Sequence, residues 1–457
     1  TERAKETDVF KPTPKVATPA QTVKEAVQLV CPRSPTQLES LEEIAHKSDL
    51  SNSKKVHRLC AQLERGKATM DAHTKSNAVR LIGALLDQSH FVSTSSITST
   101  LNTITGLFNE GELQDLNQWH LLDIFNGLKK MKVSPDHPKL TGWLKPLCDH
   151  IRLLISTNRL TRKATLYLMN AFTGLLPCGH PELMSALSEL IELNASHPLF
   201  RDHSNSILVH TLALCHFNDP TLFEPSRLDT LIQQVIHESQ RSTDERGQTQ
   251  ALLGLGYFSQ FYTGTPLLTH INRTIDSLIK ARASSAHRDV SASRLQMEIT
   301  EHLRHLTRRA KVNLEEEKII AGLPVDCWIE RYRGAENLVF QINGPYHYLL
   351  SQDHTGKETH LASLTSEFNH DHLTRFGCSV VELSFDEVPH APELMKEQWH
   401  ATWLHKKIQL AHSERASVRA LAEVPPSTTE VGIFSAARSV SPPIALTNAS
   451  PRAMDSK

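Results

Sequence analysis

The chain has 457 residues, with 49 Lys and Arg against 50 Asp and Glu, and 39% of its residues are hydrophobic. This length gives room for two or three domains of about 100–200 residues, enough to bury a sizeable core. The net charge of -1 excludes a uniformly basic nucleic-acid-binding protein, so any such binding needs a local basic surface. No run approaches the ~20 consecutive apolar residues of a membrane helix, so no membrane partner is expected.

The seven cysteines lie far apart, and no two of them form a CxxC pair. This spacing favours reduced thiols over a disulfide framework or a zinc knuckle. The sequence also lacks a glycine-rich phosphate loop, a GxSxG elbow and an HExxH helix. We therefore predict no cofactor and no metal site.

Composition divides the chain into four parts. Residues 1–20 are polar and rich in Pro and Thr, and residues 413–457 are similar with added Ser, which predicts disordered tails because both segments have little to bury. Between them the pattern changes near residue 320 from helical periodicity to short strand-like runs. We predict a helical-repeat domain over 21–312 and a small α/β domain over 313–412.

The helical domain contains a repeated pattern. Apolar residues recur at i, i+3, i+4 and i+7, which is typical of one buried helix face, and the pattern returns at intervals of about 40–47 residues. The i+4 positions of successive copies are Leu85, Phe125, Phe172, Leu212 and Leu255. A proline precedes the second apolar helix of the four clearest units, at Pro138, Pro181, Pro225 and Pro266.

Proline suits the first turn of a helix, where its missing N–H would have no partner. Two independent markers with one period predict stacked helical hairpins, which form an α-solenoid with a long concave surface. The alternative is an irregular helical bundle with chance spacing. Thr211 and Gly254 are the weakest members of the apolar series, whereas Phe125 and Phe172 recur at repeat spacing and are predicted core residues.

The α/β domain begins with two strand-like segments, 325–331 and 338–342, and a third covers 378–385. The polar, amphipathic stretch 357–376, followed by Gly377, predicts a helix with a glycine C-terminal signal. Within it, His370 and His372 are two residues apart and point to different sides of a helix, which argues against a shared metal ion. The predicted order is β–β–α–β.

Short motifs in this domain resemble the RAP domain. They are an Asn-Gly-Pro-Tyr-His run, a Thr-Gly-Lys turn, and a leucine and a glycine before Val-Val-Glu-Leu. The motif positions are Gly344, Pro345, His347, Gly356, Leu373 and Gly377. In that family the domain follows arrays of degenerate helical hairpins, as in organellar RNA-binding proteins of the FAST kinase-like and octotricopeptide-repeat types.

The resemblance implies a fold similar to very-short-patch-repair nucleases and the wider PD-(D/E)xK group. It also implies binding of single-stranded RNA in RNA processing, RNA stability or ribosome biogenesis. The implied location is mitochondrial, with the plastid, the cytoplasm or the host cell of an intracellular bacterium as alternatives. A scaffold for ribosomal or RNA-processing proteins is the alternative function.

A nuclease of the PD-(D/E)xK type needs carboxylates that converge from neighbouring strands, because charged oxygens hold Mg²⁺. Asp326 stands at the first acid position, but Gln341 and Asn343 are amides at the other two, and Ile342 is not followed by the expected lysine. We therefore predict a degenerate site and a protein that is not an enzyme, with a metal-dependent endonuclease as the less favoured alternative. Asp326 also has a structural explanation, as a strand-start residue that caps a turn.

Several basic side chains are candidates for contact with RNA phosphates. The candidates are Arg304, Arg308, Arg309, Lys311, His347 and Lys357. The first four belong to the segment with the richest local positive charge, although Glu315–Glu317 follow it and a solvated, charge-balanced helix face is the alternative. His347 is suited to stack on a base or bond a phosphate, or else is a partly buried structural histidine.

Overall fold

The computed structural model describes residues 35–415, apart from gaps at 48–49, 89–93, 178–179, 196–203, 224–227, 234–235, 237–244, 263–264, 284–293, 321–322, 333–334, 345–346, 353–357, 385–386, 388–401 and 414. The described part is mainly helical, with a small mixed sheet in its C-terminal region, as predicted. None of its helices is both long and apolar enough to cross a membrane. The predicted tails fall almost wholly outside the described residues.

The helices that precede the sheet are α1 (Pro35–His46), α2 (Asn52–Gly66), α3 (Ala72–Asp87), α4 (Thr94–Thr105), α5 (Glu110–Gln114), α6 (Gln118–Met131), α7 (Pro138–Ser156), α8 (Arg162–Thr173), α9 (Pro181–Ala195), α10 (Ser204–Asn218), α11 (Glu245–Phe258), α12 (Pro266–Ala283) and α13 (Arg294–Ala310). A 3₁₀ turn (Pro220–Leu222) and a helical stretch at 228–233 lie between α10 and α11.

Local chemistry explains where several helices begin. Asp71 precedes α3, and its carboxylate accepts a hydrogen bond at 2.8 Å from the N–H of the third helical residue. The prolines that mark the repeats are helix starts, since α7, α9 and α12 begin at Pro138, Pro181 and Pro266. Pro225, the remaining marker, lies outside the described residues.

Most of these helices pack in two layers. In the first layer α3, α6, α8, α10 and α11 each contact the next, and in the second layer α2, α4, α7 and α9 do the same. Phe125 of α6 and Phe172 of α8 are fully buried, with ring centroids 4.6 Å apart. Both aromatic markers are therefore core residues, as predicted.

Glycine permits two of the closest crossings in the first layer. A Cβ atom on Gly83 of α3 would overlap the carbonyl oxygen of Gly127 in α6. A Cβ atom on Gly254 of α11 would lie 2.8 Å from the carbonyl oxygen of Val209 in α10. Gly254, a weak member of the apolar pattern, is thus explained by backbone approach rather than by burial of a side chain.

The four-stranded sheet has the order β1-β2-β3-β6. Its strands are β1 (Glu315–Ile320), β2 (Leu323–Tyr332), β3 (Ala335–Asn343) and β6 (Ser379–Ser384). The first three form an antiparallel meander, and β6 pairs parallel to β3. A separate hairpin of β4 (Tyr348–Gln352) and β5 (Glu358–Ala362) is followed by α14 (Leu364–Arg375), and residues 402–413 form α15.

The three predicted strands are present as β2, β3 and β6, but the predicted helix over 357–376 is wrong in its first part. Glu358–Ala362 pair with β4 as a strand. The helix begins only after Ser363, whose hydroxyl accepts a hydrogen bond from the N–H of Ser366. Strands β1, β4 and β5 are additions to the predicted order, and β1 contains the glutamate run that is predicted above only to balance charge.

The two faces of the sheet contact different partners. Val339 and Val380 belong to a core that is continuous with Phe368 of α14 and with the helical layers. Phe340 and Val381 belong to an outer core that the sheet shares with α13 and α15. One side of the α/β domain, called the module from here on, therefore faces the helical layers, and α13 and α15 cover its other side.

The module is docked along the ends of successive first-layer helices. Leu350 of β4 donates its N–H to the carbonyl of Lys132 at 2.7 Å and accepts from the N–H of Ser134 at 2.8 Å, directly after α6. Leu364 donates its N–H to the carbonyl of Leu176 at 3.0 Å, just beyond α8. Helix α14 then packs on α10 and α11, so the module folds back over the helical layers.

Candidate nucleic-acid interface

Arg304, the first of the predicted RNA contacts, is held in ion pairs. Its guanidinium contacts Glu316 of β1 at 2.7 and 2.8 Å and Glu301 of its own helix at 2.7 Å. The hydrogen bonds to Glu316 and then to Glu301 raise its pKa further above the ordinary arginine value. Arg304 therefore fits the alternative prediction, in which glutamates balance the charge of this helix face, and its ion pairs connect α13 to β1.

Arg308, Arg309 and Lys311 are exposed at the end of α13. The helix ends in a Schellman motif. The N–H of Lys311 donates to the carbonyl of Arg308 at 3.2 Å, and the N–H of Val312 donates to the carbonyl of Thr307 at 3.0 Å. Lys311 has a φ of 55°, a left-handed conformation that glycine normally supplies. These three cations form the part of the predicted basic segment that is open to solvent.

Helix α15 adds a second basic element, which is not among the residues predicted to contact RNA. Residues 402–413 contain Lys406 and Lys407 and no acidic residue; Lys406 is exposed, and Lys407 pairs with Glu387 at 2.5 Å. Leu404 of α15 and Leu303 of α13 share the outer core, so both helices cover the same face of the sheet. The sequence feature that indicates this basic helix is a pair of apolar residues spaced i, i+4 with no acidic residue around them.

We call this face the basic outer layer, defined by Arg308, Arg309, Lys311, Lys406 and Lys407. Its cations come from two helices that are about 100 residues apart in the chain, a separation that only tertiary packing overcomes. The first three were candidates from sequence, and the fold brings the last two to the same layer. Such a layer is suited to contact a phosphate backbone.

The nuclease-like positions lie on neighbouring strands. Asp326 is a half-buried residue within β2, and its carboxylate accepts a hydrogen bond at 2.6 Å from the main-chain N–H of Ile342 in β3. The explanation of Asp326 as a strand-start residue that caps a turn is therefore wrong in its details, because this side chain bridges two strands. Gln341 and the buried Asn343 lie on β3, in register with Glu382 and Ser384 of β6.

Burial raises the pKa of the Asp326 carboxyl, the bond from Ile342 lowers it, and nearby Glu317 raises it, to about 6 overall. Glu382, the acid on the adjoining strand, lies 3.1 Å from His370 Nδ1 of α14. No group of three or more His, Cys, Asp or Glu side chains in the described part of the chain is arranged to hold a metal ion. The hydrogen bond from Ile342 shows that the Asp326 carboxylate connects β2 to β3.

His347 is attached to the beginning of α14. Its carbonyl accepts from the N–H of Ser363 at 2.8 Å, and its Nδ1 lies 3.2 Å from the hydroxyl of Ser366. Although the residue is exposed as a whole, its ring is crowded: burial and then Lys132 lower its pKa, and Glu382 raises it. These contacts favour the structural interpretation of His347.

The remaining motif positions differ in their roles. Gly377 has a φ of 82° and ends α14, with its N–H bonded to the carbonyl of Thr374 at 3.0 Å, as its predicted C-terminal signal requires. Leu373 is buried in the core. Gly344 lies outside the left-handed region, and a Cβ atom there would meet nothing within 4 Å, so neither its backbone conformation nor its surroundings require glycine. Pro345, Gly356 and Lys357 lie outside the described residues.

The fold and this surface define a mainly helical protein with a small α/β module whose outer layer is basic. No protein-family model matches the chain, and no curated protein matches it either. Function is therefore inferred from the chain's own residues and from the motif resemblance.

Proposed function

We propose that this protein binds single-stranded RNA through the basic outer layer and acts without catalysis in organellar RNA processing, RNA stability or ribosome biogenesis. The main supporting observation is the exposure of Arg308, Arg309 and Lys311 at the end of α13, a helix that shares the outer core with α15, which contains no acid. Cations supply most of the sequence-independent affinity of a protein for a phosphate backbone. The organellar role rests on the RAP resemblance.

We also propose that the two helix layers form an α-solenoid and that the module has the nuclease-like fold that the resemblance implies. The ordered contacts from α3 to α11 and the repeated proline starts support the first proposal. The position of Asp326 on β2, beside the β3 strand that contains Gln341 and Asn343, supports the second. Of the three nuclease-like positions only Asp326 is an acid, and Glu382, the acid in register with Gln341, is paired with His370, which supports a non-catalytic role.

The test is a binding titration of the full 457-residue chain with a labelled single-stranded RNA over a range of salt concentrations. The variant replaces Arg308, Arg309 and Lys311 together with Ala. Each lost phosphate contact should reduce the slope of log K against log salt by about 0.7, so the triple variant should lose about 2 from the slope and bind more weakly. The matched control replaces Lys54, Arg58 and Arg65, three exposed cations of α2, with Ala.

If the triple variant and the control have the same affinity and slope as the wild type, the basic outer layer does not bind RNA. If the wild type binds no RNA in the titration, and crosslinking with sequencing from its own cells recovers none above background, the scaffold alternative replaces RNA binding. Mg²⁺-dependent cleavage of RNA or DNA that disappears in Asp326→Ala would support the endonuclease instead. Imaging of the tagged protein in its own cells tests the mitochondrial location.

A further inference from the structure

Two large aromatic side chains are exposed where the module meets the helical layers. The exposed fraction is 46% for Phe261, just beyond α11, and 43% for Phe376, just beyond α14. Phe261 follows Gln260 in the chain, and Phe376 follows Arg375. The guanidinium of Arg375 donates a hydrogen bond to the side-chain oxygen of Gln260 across the junction. The two rings therefore flank one contact between the module and α11.

Both exposed rings pack against the rings of other side chains. Phe261 has its ring centroid 5.1 Å from that of Tyr257 and 4.9 Å from that of His216, and Phe376 lies 4.7 Å from His372. Tyr257 and His372 are buried, and the Tyr257 hydroxyl lies 2.9 Å from His216 Nδ1. Each exposed ring thus rests on side chains that are themselves held in place, which limits the entropy lost when a ligand stacks on it.

Two arginines lie beside Phe376. Arg375 precedes it and pairs with Asp371 at 2.6 Å as well as with Gln260. A guanidinium nitrogen of Arg415 lies 3.8 Å from the position of a Cβ atom on Gly377, the residue that follows Phe376. Arg415 lies two residues beyond the last residue of α15 and places a positive charge beside the end of α14.

We propose that Phe261 and Phe376 stack unpaired RNA bases at this junction while Arg415 contacts the adjoining phosphate. Aromatic faces stack on every base, and arginine adds both charge and a planar surface. The guanidinium of Arg415 beside Gly377 favours RNA over an apolar protein surface, since a phosphate next to a base stacked on Phe376 is attracted to this positive charge. The proposal rests on the proposed RNA binding and names the place where bases, rather than phosphates, are held.

The test compares two double variants of the full-length chain. Phe261→Leu with Phe376→Leu keeps apolar bulk but removes the aromatic faces, and Phe261→Tyr with Phe376→Tyr keeps the faces as a matched control. Each protein is titrated with a single-stranded oligouridine and with an abasic ribose-phosphate strand of equal length. Stacking predicts that the wild type binds the abasic strand about tenfold more weakly, and that the leucine variant loses about tenfold on oligouridine only. The tyrosine variant should match the wild type.

The salt slope separates this proposal from the preceding one. Loss of stacking should leave the slope unchanged, whereas loss of the basic outer layer lowers it. If the wild type binds neither strand, the proposed function and this site are both rejected. If the wild type prefers oligouridine and the leucine variant retains that preference, bases stack elsewhere and only this site is rejected. An unchanged affinity of the leucine variant for oligouridine also rejects this site.

Discussion

Replacement of Asp326 by Asn is expected to stabilise the protein at neutral pH. The carboxyl is half-buried within β2, its pKa is raised from 3.8 to about 6 by burial and by Glu317, and it accepts the N–H of Ile342. A difference of this size corresponds to about 3 kcal/mol between the two protonation states. Asparagine keeps an oxygen that accepts the same N–H but has no charge to bury, so we expect a gain of about 1–3 kcal/mol at pH 8.

The gain should depend on pH in a defined direction. A carboxyl whose folded pKa lies above its unfolded pKa binds its proton more tightly in the folded state. The cost of its charge is therefore absent below the ordinary value of 3.8 and grows as pH rises to about 6, above which it is constant. The stability difference between Asp326→Asn and the wild type should be small at pH 4 and reach its maximum above pH 7.

Urea unfolding followed by circular dichroism at pH 4, 6 and 8 measures this difference. Asp149→Asn is the matched control, because hydrogen bonding to Lys145 holds the pKa of exposed Asp149 below its ordinary value. That control should lose a few tenths of a kcal/mol at pH 8. An Asp326→Asn variant that is less stable than the wild type by the same amount at all three pH values would refute the reasoning. The ionised carboxylate would then be a favourable strand contact.

Two further substitutions test the packing and the end of α13. Gly256→Ala places a Cβ atom 2.7 Å from Cε1 of His372, so we expect urea unfolding to report a loss of about 1–3 kcal/mol in the free energy of unfolding. Much of this stability should return when His372→Ala is added. Full stability in the single variant would mean that α14 does not pack this closely on α11. Lys311→Gly removes the strain of a side chain at a φ of 55° and should raise the free energy of unfolding by about 1 kcal/mol. It should also lower the slope of log K for RNA against log salt by about 0.7. A destabilised variant would contradict the left-handed turn.

Features set by local chemistry could be predicted from the sequence. The helix starts at Pro138, Pro181 and Pro266 and the glycine end of α14 depend on a few neighbouring residues, so the pattern alone located them. Strand β1 was missed because Glu315–Glu317 have little apolar content, and the strand forms through pairing with β2. Its existence depends on tertiary structure that periodicity does not report.

The candidate site divides in the same way. Arg308, Arg309 and Lys311 are adjacent in the sequence, so their clustering was visible in composition. The pairing of Arg304 with Glu316 requires β1 to return alongside α13, and the bond from Ile342 to Asp326 requires the register of β2 against β3. Phe261 and Phe376 come together only because the module folds back over the helical layers.

The docking of Leu350 between Lys132 and Ser134 has a consequence for how the chain is made. The two sides of this contact are separated by roughly 200 residues, which a ribosome adds in about 10–40 s. The helical hairpins close through contacts local in sequence and can fold during that interval, whereas β4 emerges after them. The main-chain groups of Lys132 and Ser134 lack their β4 partner until that strand is synthesised, so the helices that fold first provide a surface on which the module docks.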